Sequence, residues 1–227
     1  KALPLFKRAS ELWPQQELAY WNQGEVYRLT GDNAEARRMY AKVLWINPWH
    51  ADARVKLAEI LWKEGKESEA IEYLKKAVAR MPRSGKLYTT LGLFYYRQDK
   101  QEDALKQFTR AIELEPFLPV PYIHKGVIFL SRQLPDEAIP VLKTAVGLAG
   151  LAEAHNALGA AYAQKGEYGR ALAEFRLAYK IQQRLPGVGD NIANALIDLH
   201  DYDGAERFCS ENSELGMPCA EDTLKRI

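Results

Sequence analysis

The residues of this chain best suited to chemistry are its histidines, and their spacing assembles neither a catalytic site nor a metal site. No histidine belongs to a His-Glu-x-x-His arrangement, and no acidic cluster stands at metal-ligand spacing. We expect His155 to take the place of a packed aromatic side chain and His200 to lie in a solvated turn. His124 is the exception, because its register predicts that it faces a binding surface. The remaining histidine is His50.

Phosphate-binding and nucleophile motifs are also missing from the sequence. The chain has no Gly-Lys-Ser/Thr phosphate loop and no Gly-x-Ser-x-Gly elbow. The pair Gly187 and Gly189 lacks the third glycine and the preceding strand of a dinucleotide-binding loop. We therefore predict that the chain is not an enzyme and that it uses no metal and no cofactor.

The two cysteines, Cys209 and Cys219, are too few for a disulfide framework or a zinc site. Because they lie ten residues apart in one stretch, the sequence leaves two states open. Two free thiols are favoured, and one local bridge is the alternative in an oxidising compartment. The compartment is accordingly predicted as cytoplasmic by default, and as periplasmic or otherwise extracytoplasmic if the cysteines are bridged.

Charge and hydropathy restrict the classes of partner. The formal net charge of +1 favours neither a nucleic acid nor a membrane surface. No apolar run approaches the roughly 20 residues of a membrane span. Residues 186–227 carry nine acids and three bases, a balance of −6, which predicts either a solvated acidic end or an acidic capping or docking surface.

The sequence consists largely of an internal repeat. The helices of that repeat must therefore position any functional side chain. The prolines Pro14, Pro48, Pro82 and Pro116 are each separated by 34 residues. The same step relates two further sets, namely Ala36, Ala70 and Ala104, and Tyr40, Leu74 and Phe108.

A period of 34 residues with these side chains resembles the tetratricopeptide repeat family. Residues 85–118 carry its pattern in Tyr88, Leu91, Gly92, Tyr95, Ala104, Phe108, Ala111 and Pro116. Residues 152–185 carry it in Leu158, Gly159, Tyr162, Ala171, Phe175 and Ala178. The resemblance implies an all-α fold, a right-handed α-solenoid of antiparallel helix pairs in which the first helices line a concave face.

The repeat divides the chain into eight segments. An incomplete first repeat and a short tail flank the repeats, which is typical of a fragment of a longer chain. We assign a truncated repeat to 1–16, full repeats to 17–50, 51–84, 85–118, 119–151 (divergent) and 152–185, a divergent repeat to 186–212, and a tail with a possible capping helix to 213–227.

Small residues recur where such helix pairs turn and cross. Gly31, Gly65 and Gly166 occupy the turn within a pair, where glycine tolerates a positive φ. A second set allows the paired helices to approach closely, so that a larger side chain would overpack the crossing. This set comprises Gly24, Ala58, Gly92, Gly126 and Gly159. Pro140, inside a second helix, predicts a slight kink.

Transferring the family's register gives a candidate groove. Leu93, Tyr96, Ile123, Val127 and Leu130 form a predicted apolar patch, and a solvent-facing patch of that kind is typical of a binding surface. The residues we predict to bind a peptide are Trp21, Asn22, Lys56, Trp62, Lys86, Thr89, Leu93, Tyr96, Arg97, Ile123, His124, Val127, Asn156, Asn191 and Asn194.

The predicted function is a protein–protein interaction scaffold that holds a peptide or a partner protein in this groove. The alternatives are a substrate-selecting segment of a larger enzyme, such as a glycosyltransferase, and a self-assembling scaffold. Direct membrane contact is not expected. The basic and asparagine residues that related repeats use to bind chaperone tails are missing from any three consecutive repeats. Trp13 and Trp49 are expected to pack between repeats, and Trp45 to be exposed as a second contact surface.

Overall fold

The computed structural model describes residues 2–227, and all regular structure in that range is helical. Most helices have 13 or 14 residues. The helices are α1 Leu3–Leu12, α2 Glu17–Leu29, α3 Asn33–Ile46, α4 Ala51–Lys63, α5 Glu67–Arg80, α6 Gly85–Arg97, α7 Gln101–Leu114, α8 Pro119–Ser131, α9 Pro135–Ala149, α10 Ala152–Gln164, α11 Tyr168–Ile181, α12 Val188–Asp198, α13 Tyr202–Glu214 and α14 Glu221–Leu224.

The chain forms two compact units, Lys1–Pro116 and Phe117–Ile227. In the first unit α2 packs on α3, α4 on α5 and α6 on α7, and each pair contacts the next through its second helix. In the second unit α8 pairs with α9, α10 with α11 and α12 with α13 in the same way. One helix pair cannot cover its own apolar face, so stacking of neighbours completes the core of each unit.

Close packing at the helix crossings explains the recurring small residues. A methyl group placed at Gly24 would stand 2.7 Å from the Tyr40 ring, and one at Gly92 would stand 2.7 Å from the Phe108 ring. Gly159 meets Phe175 in the same manner. The expectation that these positions exclude a larger side chain is therefore confirmed.

The turn within each helix pair requires a left-handed residue. Gly31 and Gly65 have φ values of +83° and +77°, as predicted for glycine at these positions. Asp99, Gln133 and His200 adopt the same region without being glycine, at +56°, +59° and +63°. This conformation costs a residue with a Cβ about 1–2 kcal/mol, so the stacked helices impose the turn even where the local sequence disfavours it. His200 is exposed, as predicted.

The tryptophans at the repeat ends do not pack as predicted. Trp13 and Trp49 are 60% and 67% exposed, so the expectation that they pack between repeats is wrong. Both lie in the turns that follow a second helix, outside the buried faces of the helices. Trp45 is exposed, as its register predicts, and the Lys42 ammonium lies 5.7 Å from its ring centroid.

The cysteines also differ from the favoured expectation. Cys209 in α13 and Cys219 are joined by a disulfide, with 5.4 Å between their Cα atoms, so the prediction of free thiols is wrong. The turn through Gly216, at φ +71°, and Pro218 reverses the chain after α13 and returns Cys219 to that helix. Helix α14 follows this bridge.

Candidate functional site

The predicted binding residues all lie on the first helices of the pairs, and they divide between the two units. Here the first-helix face of a unit means the surface formed by these residues and their neighbours on α2, α4 and α6, or on α8, α10 and α12. The first unit holds Trp21, Asn22, Lys56, Trp62, Lys86, Thr89, Leu93, Tyr96 and Arg97. The second unit holds Ile123, His124, Val127, Asn156, Asn191 and Asn194.

In the first unit, Trp21 belongs to a packed aromatic and charged cluster. Its ring stacks on His50 with 5.0 Å between centroids and tilts against Tyr40 at 5.4 Å. The Tyr40 hydroxyl donates to Glu25 at 2.5 Å, and Arg28 donates to the same carboxylate at 2.7 Å. Trp21 is therefore half-buried by its own unit.

Electrostatics in this cluster follow from its geometry. Burial by itself would raise the pKa of Glu25, but the hydrogen bonds from Arg28 and Tyr40 outweigh it and hold that pKa below its ordinary value. Burial raises the pKa of the Tyr40 hydroxyl, and its hydrogen bond to the Glu25 carboxylate raises it further. Near neutral pH the cluster thus consists of a carboxylate with two donors.

A second cluster of the first unit surrounds Trp62. The Trp62 and Phe94 rings lie 4.3 Å apart between centroids. The guanidinium of Arg97 stands 5.8 Å from the first ring and 5.9 Å from the second, within cation–π range. The predicted binding residues Trp62 and Arg97 therefore contact each other.

Three polar residues among those predicted to bind in the first unit, Lys56, Lys86 and Thr89, also have partners within that unit. Lys56 pairs with Glu59 at 2.9 Å, and Lys86 pairs with Asp52 at 2.7 Å. Thr89 is buried and donates to the Gly85 carbonyl of its own helix, so it presents no hydroxyl to a ligand. Three predicted residues are half-buried, namely Asn22, Leu93 and Tyr96.

The second unit presents an apolar cavity of about 550 Å³ between α8 and α10. Three members of the predicted apolar patch, Ile123, Val127 and Leu130, belong to its wall. The aliphatic and alanine side chains that line it are Val120, Ile123, Val127, Leu130, Leu151, Ala157, Ala160 and Leu185.

Two of these side chains, Leu151 and Leu185, lie outside the first helices to which the family's register applies, and the sequence did not predict them. Both lie in turns between helix pairs, one as the residue preceding α10 and the other before α12. The register was transferred only for residues within first helices. The signal that could have found them is their apolar character. They lie in the turns between helix pairs, where the earlier repeats carry a proline two positions before the equivalent residue.

Polar groups stand at the edge of the cavity. His124, Glu153 and Asn156 contribute to its lining. The Asn191 amide of α12 donates to Asn156 Oδ1 at 2.8 Å, which connects neighbouring first helices. His155 does not join this edge, because its Nδ1 lies 2.7 Å from Glu174 of α11 and its side chain is mostly buried.

The remaining predicted residue, Asn194, is covered by the chain's own C-terminal segment. Its amide lies 3.5 Å from the Thr223 hydroxyl, and its side-chain oxygen accepts a hydrogen bond from Arg226. The sequence predicted an open position here, and the structure places a partner on it.

The part of the chain that the structure describes contains neither a group of metal-ligating side chains nor a membrane-spanning helix. In residues 2–227 no three His, Cys, Asp or Glu side chains are grouped so that they could hold a metal ion. Over the same residues, none of the helices combines the length and apolar character needed to cross a membrane.

Stacked helix pairs with an open apolar cavity on a first-helix face define an all-α repeat protein of the solenoid class. Residues 124–186 match the family model described as Tetratricopeptide repeat, and residues 1–114 match the model described as Bacterial transcriptional activator domain. The chain belongs to the tetratricopeptide repeat family, and its first half also belongs to that second family.

Individual relatives agree with this assignment. Anaphase-promoting complex subunit 3 of Schizosaccharomyces pombe is 25% identical over 182 residues, 80% of this chain and 27% of that protein. Human protein O-mannosyl-transferase TMTC1 is 28% identical over 193 residues, 83% of this chain and 22% of the enzyme. A solved thermophilic TPR protein from Thermus thermophilus matches with a TM-score of 0.63 and 26% identity, covering 80% of this chain and 100% of that one.

This chain therefore spans about a quarter of the length of these two curated relatives. At that level, the shared feature is a repeat scaffold of the kind that supports protein interactions.

Proposed function

We propose that the second unit binds an extended or helical segment of a partner protein, with apolar side chains of that segment held in the cavity between α8 and α10. One observation carries the proposal, namely an apolar cavity of about 550 Å³ on the first-helix face of this unit. Ligand cavities in proteins typically measure about 300–1,000 Å³. Burying apolar surface contributes roughly 25 cal/mol per Å², so this cavity is the favoured anchor.

The polar edge suits a polypeptide rather than a purely apolar ligand. Asn156 uses its Oδ1 as an acceptor for Asn191, and its amide nitrogen offers donors in addition. Glu153 and His124 add groups that can accept or donate. A polypeptide main chain, which carries donors and acceptors in alternation, matches this edge while its side chains enter the cavity.

The first unit is expected to contribute less to binding. Its predicted residues Trp21, Trp62, Arg97 and Lys86 already contact groups of the same unit. A ligand would have to displace those contacts before it gained new ones. The half-buried Tyr96 remains a proposed contact of that unit, tested separately with Tyr96→Ala.

The test is a phage-displayed library of random peptides selected on the purified chain, followed by affinity measurement with synthetic peptides. Ala160→Phe fills the cavity without adding charge, and Val127→Asp places a charge in its wall. Both should weaken binding about tenfold or more, as truncation of a binding hot spot does. Ala173→Phe is the matched control, because Ala173 is exposed on α11 outside the cavity.

Two outcomes would contradict the proposal. Peptides that bind Ala160→Phe as tightly as the parent chain would show that the cavity is not the site. Light scattering that shows a dimer abolished by Ala160→Phe would assign the cavity to self-association instead. Circular dichroism melting of each variant checks that the fold is retained.

A second function is favoured by one comparison, the match to a protein O-mannosyl-transferase. In that case the repeats would present protein substrates to a catalytic region on the same polypeptide. The test is to purify the native polypeptide, measure its mass and assay it for glycosyl transfer. A native polypeptide of 25.8 kDa without transfer activity would exclude it.

A further inference from the structure

The C-terminal segment, defined here as residues 219–227, lies on the first-helix face of α12. At one end the main-chain N–H of Ala220 donates to Asp190 Oδ1 at 2.6 Å. The Thr223 hydroxyl donates to the same oxygen at 3.2 Å. One carboxylate of α12 thus receives a backbone donor and a side-chain donor, as it would from a bound peptide.

The other end of the segment places an arginine between two acceptors of α12. Arg226 donates to Asp198 Oδ1 at 2.6 Å and also bonds Asn194 Oδ1. Asp190, Asn194 and Asp198 are spaced four residues apart, so they form one row along the helix. The neighbouring Asn191 bonds Asn156 of the cavity edge, so the row continues the surface proposed above for peptide binding.

The docking of the segment depends little on apolar burial. Helix α14 has four residues, too few to be stable alone. Leu224 is 50% exposed and Ile227 is 37% exposed. Within the segment only Cys219 and Thr223 are buried. A cap that completed the core would instead bury its large apolar side chains.

The covalent tether to α13 therefore has a defined role. Residues 215–218 connect the segment to α13 in either redox state, and the Cys209–Cys219 bond adds a second connection that restricts where the segment can move. Both cysteines line a cleft of about 390 Å³ that also includes Ser210 and Ser213. Because the two cysteines are only 5% and 7% exposed, a reductant would reach the sulfur atoms from this cleft when the segment opens locally.

We propose that residues 219–227 act as an intramolecular ligand that covers a site for a basic peptide segment on α12, and that reduction of the disulfide opens this site. The site binds an arginine or lysine between Asn194 and Asp198 and a main-chain N–H at Asp190. The proposal rests on the proposed function, since the α12 row extends the cavity surface. The −6 balance of residues 186–227 favours a basic partner.

The redox step is a thiol–disulfide exchange with a dithiol reductant. The reductant supplies two electrons and two protons, the Sγ–Sγ bond breaks, and Cys209 and Cys219 become thiols. The reductant closes to its own disulfide. Without the disulfide, the segment is held on α12 by exposed polar contacts and its short main-chain connection, and a basic peptide in solution can replace those contacts.

The first experiment is hydrogen exchange of the full chain with and without dithiothreitol. Amides of residues 220–226 should exchange at least about tenfold faster after reduction, because the docked state loses the second connection that restricts its opening. Amides of Ile192–Ile197 in α12 should stay protected, which shows that the fold is intact. Unchanged exchange of the segment after reduction would overturn the proposal and identify the segment as a permanent cap.

The second experiment uses the chain's own segment as the probe. A fluorescent peptide of residues 218–227, carrying Cys219→Ser, is added to the full chain and its anisotropy is measured. It should bind a Cys209→Ser/Cys219→Ser/Arg226→Ala variant at least about tenfold more tightly than the oxidised parent. In the matched control, Lys225→Ala replaces Arg226→Ala, because Lys225 pairs only with acids of its own segment among the ion pairs observed. Equal binding to the oxidised parent would overturn the proposal.

Two further variants separate this proposal from the previous one. Asp198→Asn in the triple variant should weaken binding of the probe, since this substitution removes the carboxylate charge that holds the arginine. Ala160→Phe should leave the probe unaffected while it removes binding of library peptides. If the probe binds but Ala160→Phe does not change the binding of library peptides, only the proposed cavity function is rejected. If Ala160→Phe removes library-peptide binding but the probe does not bind, only the covered site is rejected.

Discussion

The first-helix faces of the two units occupy the same repeat positions but differ in what their side chains contact. In the first unit, Trp21 packs on His50 and Tyr40, and Trp62 packs on Phe94. In the second unit, aliphatic and alanine residues on α8 and α10 leave a cavity of about 550 Å³. A shared repeat plan therefore does not produce a shared binding surface.

The difference has a simple physical origin. Large aromatic and charged side chains on a first helix can reach partners on the next pair, so they cover their own surface. Short aliphatic side chains cannot reach across, and the space between the helices stays open. The identity of the first-helix residues, rather than the helical framework, determines which unit has an open cavity.

The largest effect is expected at the phenylalanine–glycine contact that recurs in the separate core of each unit. Phe108→Ala and Phe175→Ala each remove a ring packed on a crossing glycine, and each should lower the free energy of unfolding by about 3–5 kcal/mol. Urea denaturation followed by circular dichroism measures both. Leu177→Ala, on an exposed position of α11, is the control with little effect. A large loss for one substitution and a small loss for the other would contradict equivalent core packing in the two units.

A smaller effect is expected at the helix crossings. In Gly126→Ala the added methyl collides with the Leu142 side chain, so the variant should lose roughly 1–3 kcal/mol of stability. Gly147→Ala is the matched control in the second unit, because no atom lies within 4 Å of its added methyl. This control should gain about 0.5–1 kcal/mol from helix propensity. Equal shifts in the two urea midpoints would contradict the crossing geometry.

The cluster of Glu25, Arg28 and Tyr40 in the first unit predicts that stability depends on pH. Because the pKa of folded Glu25 lies below its ordinary value of 4.5, its charged form stabilises the fold above that value. This contribution is lost as the pH falls through the folded pKa. Glu25→Gln should therefore cost about 1 kcal/mol near neutral pH, and its difference from the parent should shrink in acid. Denaturation across a pH series measures it. A constant difference would show that the carboxylate is not linked to folding.

The smallest effect is expected at the exposed ion pair between Lys86 and Asp52. Both side chains are more than 40% exposed, so Lys86→Ala should change stability by at most about 0.5 kcal/mol. Thermal melts at low and high salt provide the measurement. A larger or salt-independent loss would mean that the first-unit face is stabilised by its ion pairs rather than by its aromatic contacts.

Local pattern was enough to predict the repeating framework. The 34-residue step placed the helix pairs, and the turn glycines Gly31 and Gly65 were identified from their position alone. The crossing positions Gly92 and Gly126 followed from the same step. These features depend on residues a few positions apart or on one repeated interval, and a sequence displays both directly.

Tertiary structure decided which of those surfaces stay open. The partners of Trp21 and Lys86 lie about one repeat away, and the exposure of Trp49 depends on what its neighbours leave uncovered. The cysteine bridge, and the cover that Arg226 places on Asn194, depend on how the chain reverses after α13. The sequence by itself determined the stack of helix pairs, because periodic burial fixes it. Only the folded chain decided which side chains are covered and which stay open, because that depends on distances between side chains far apart in sequence.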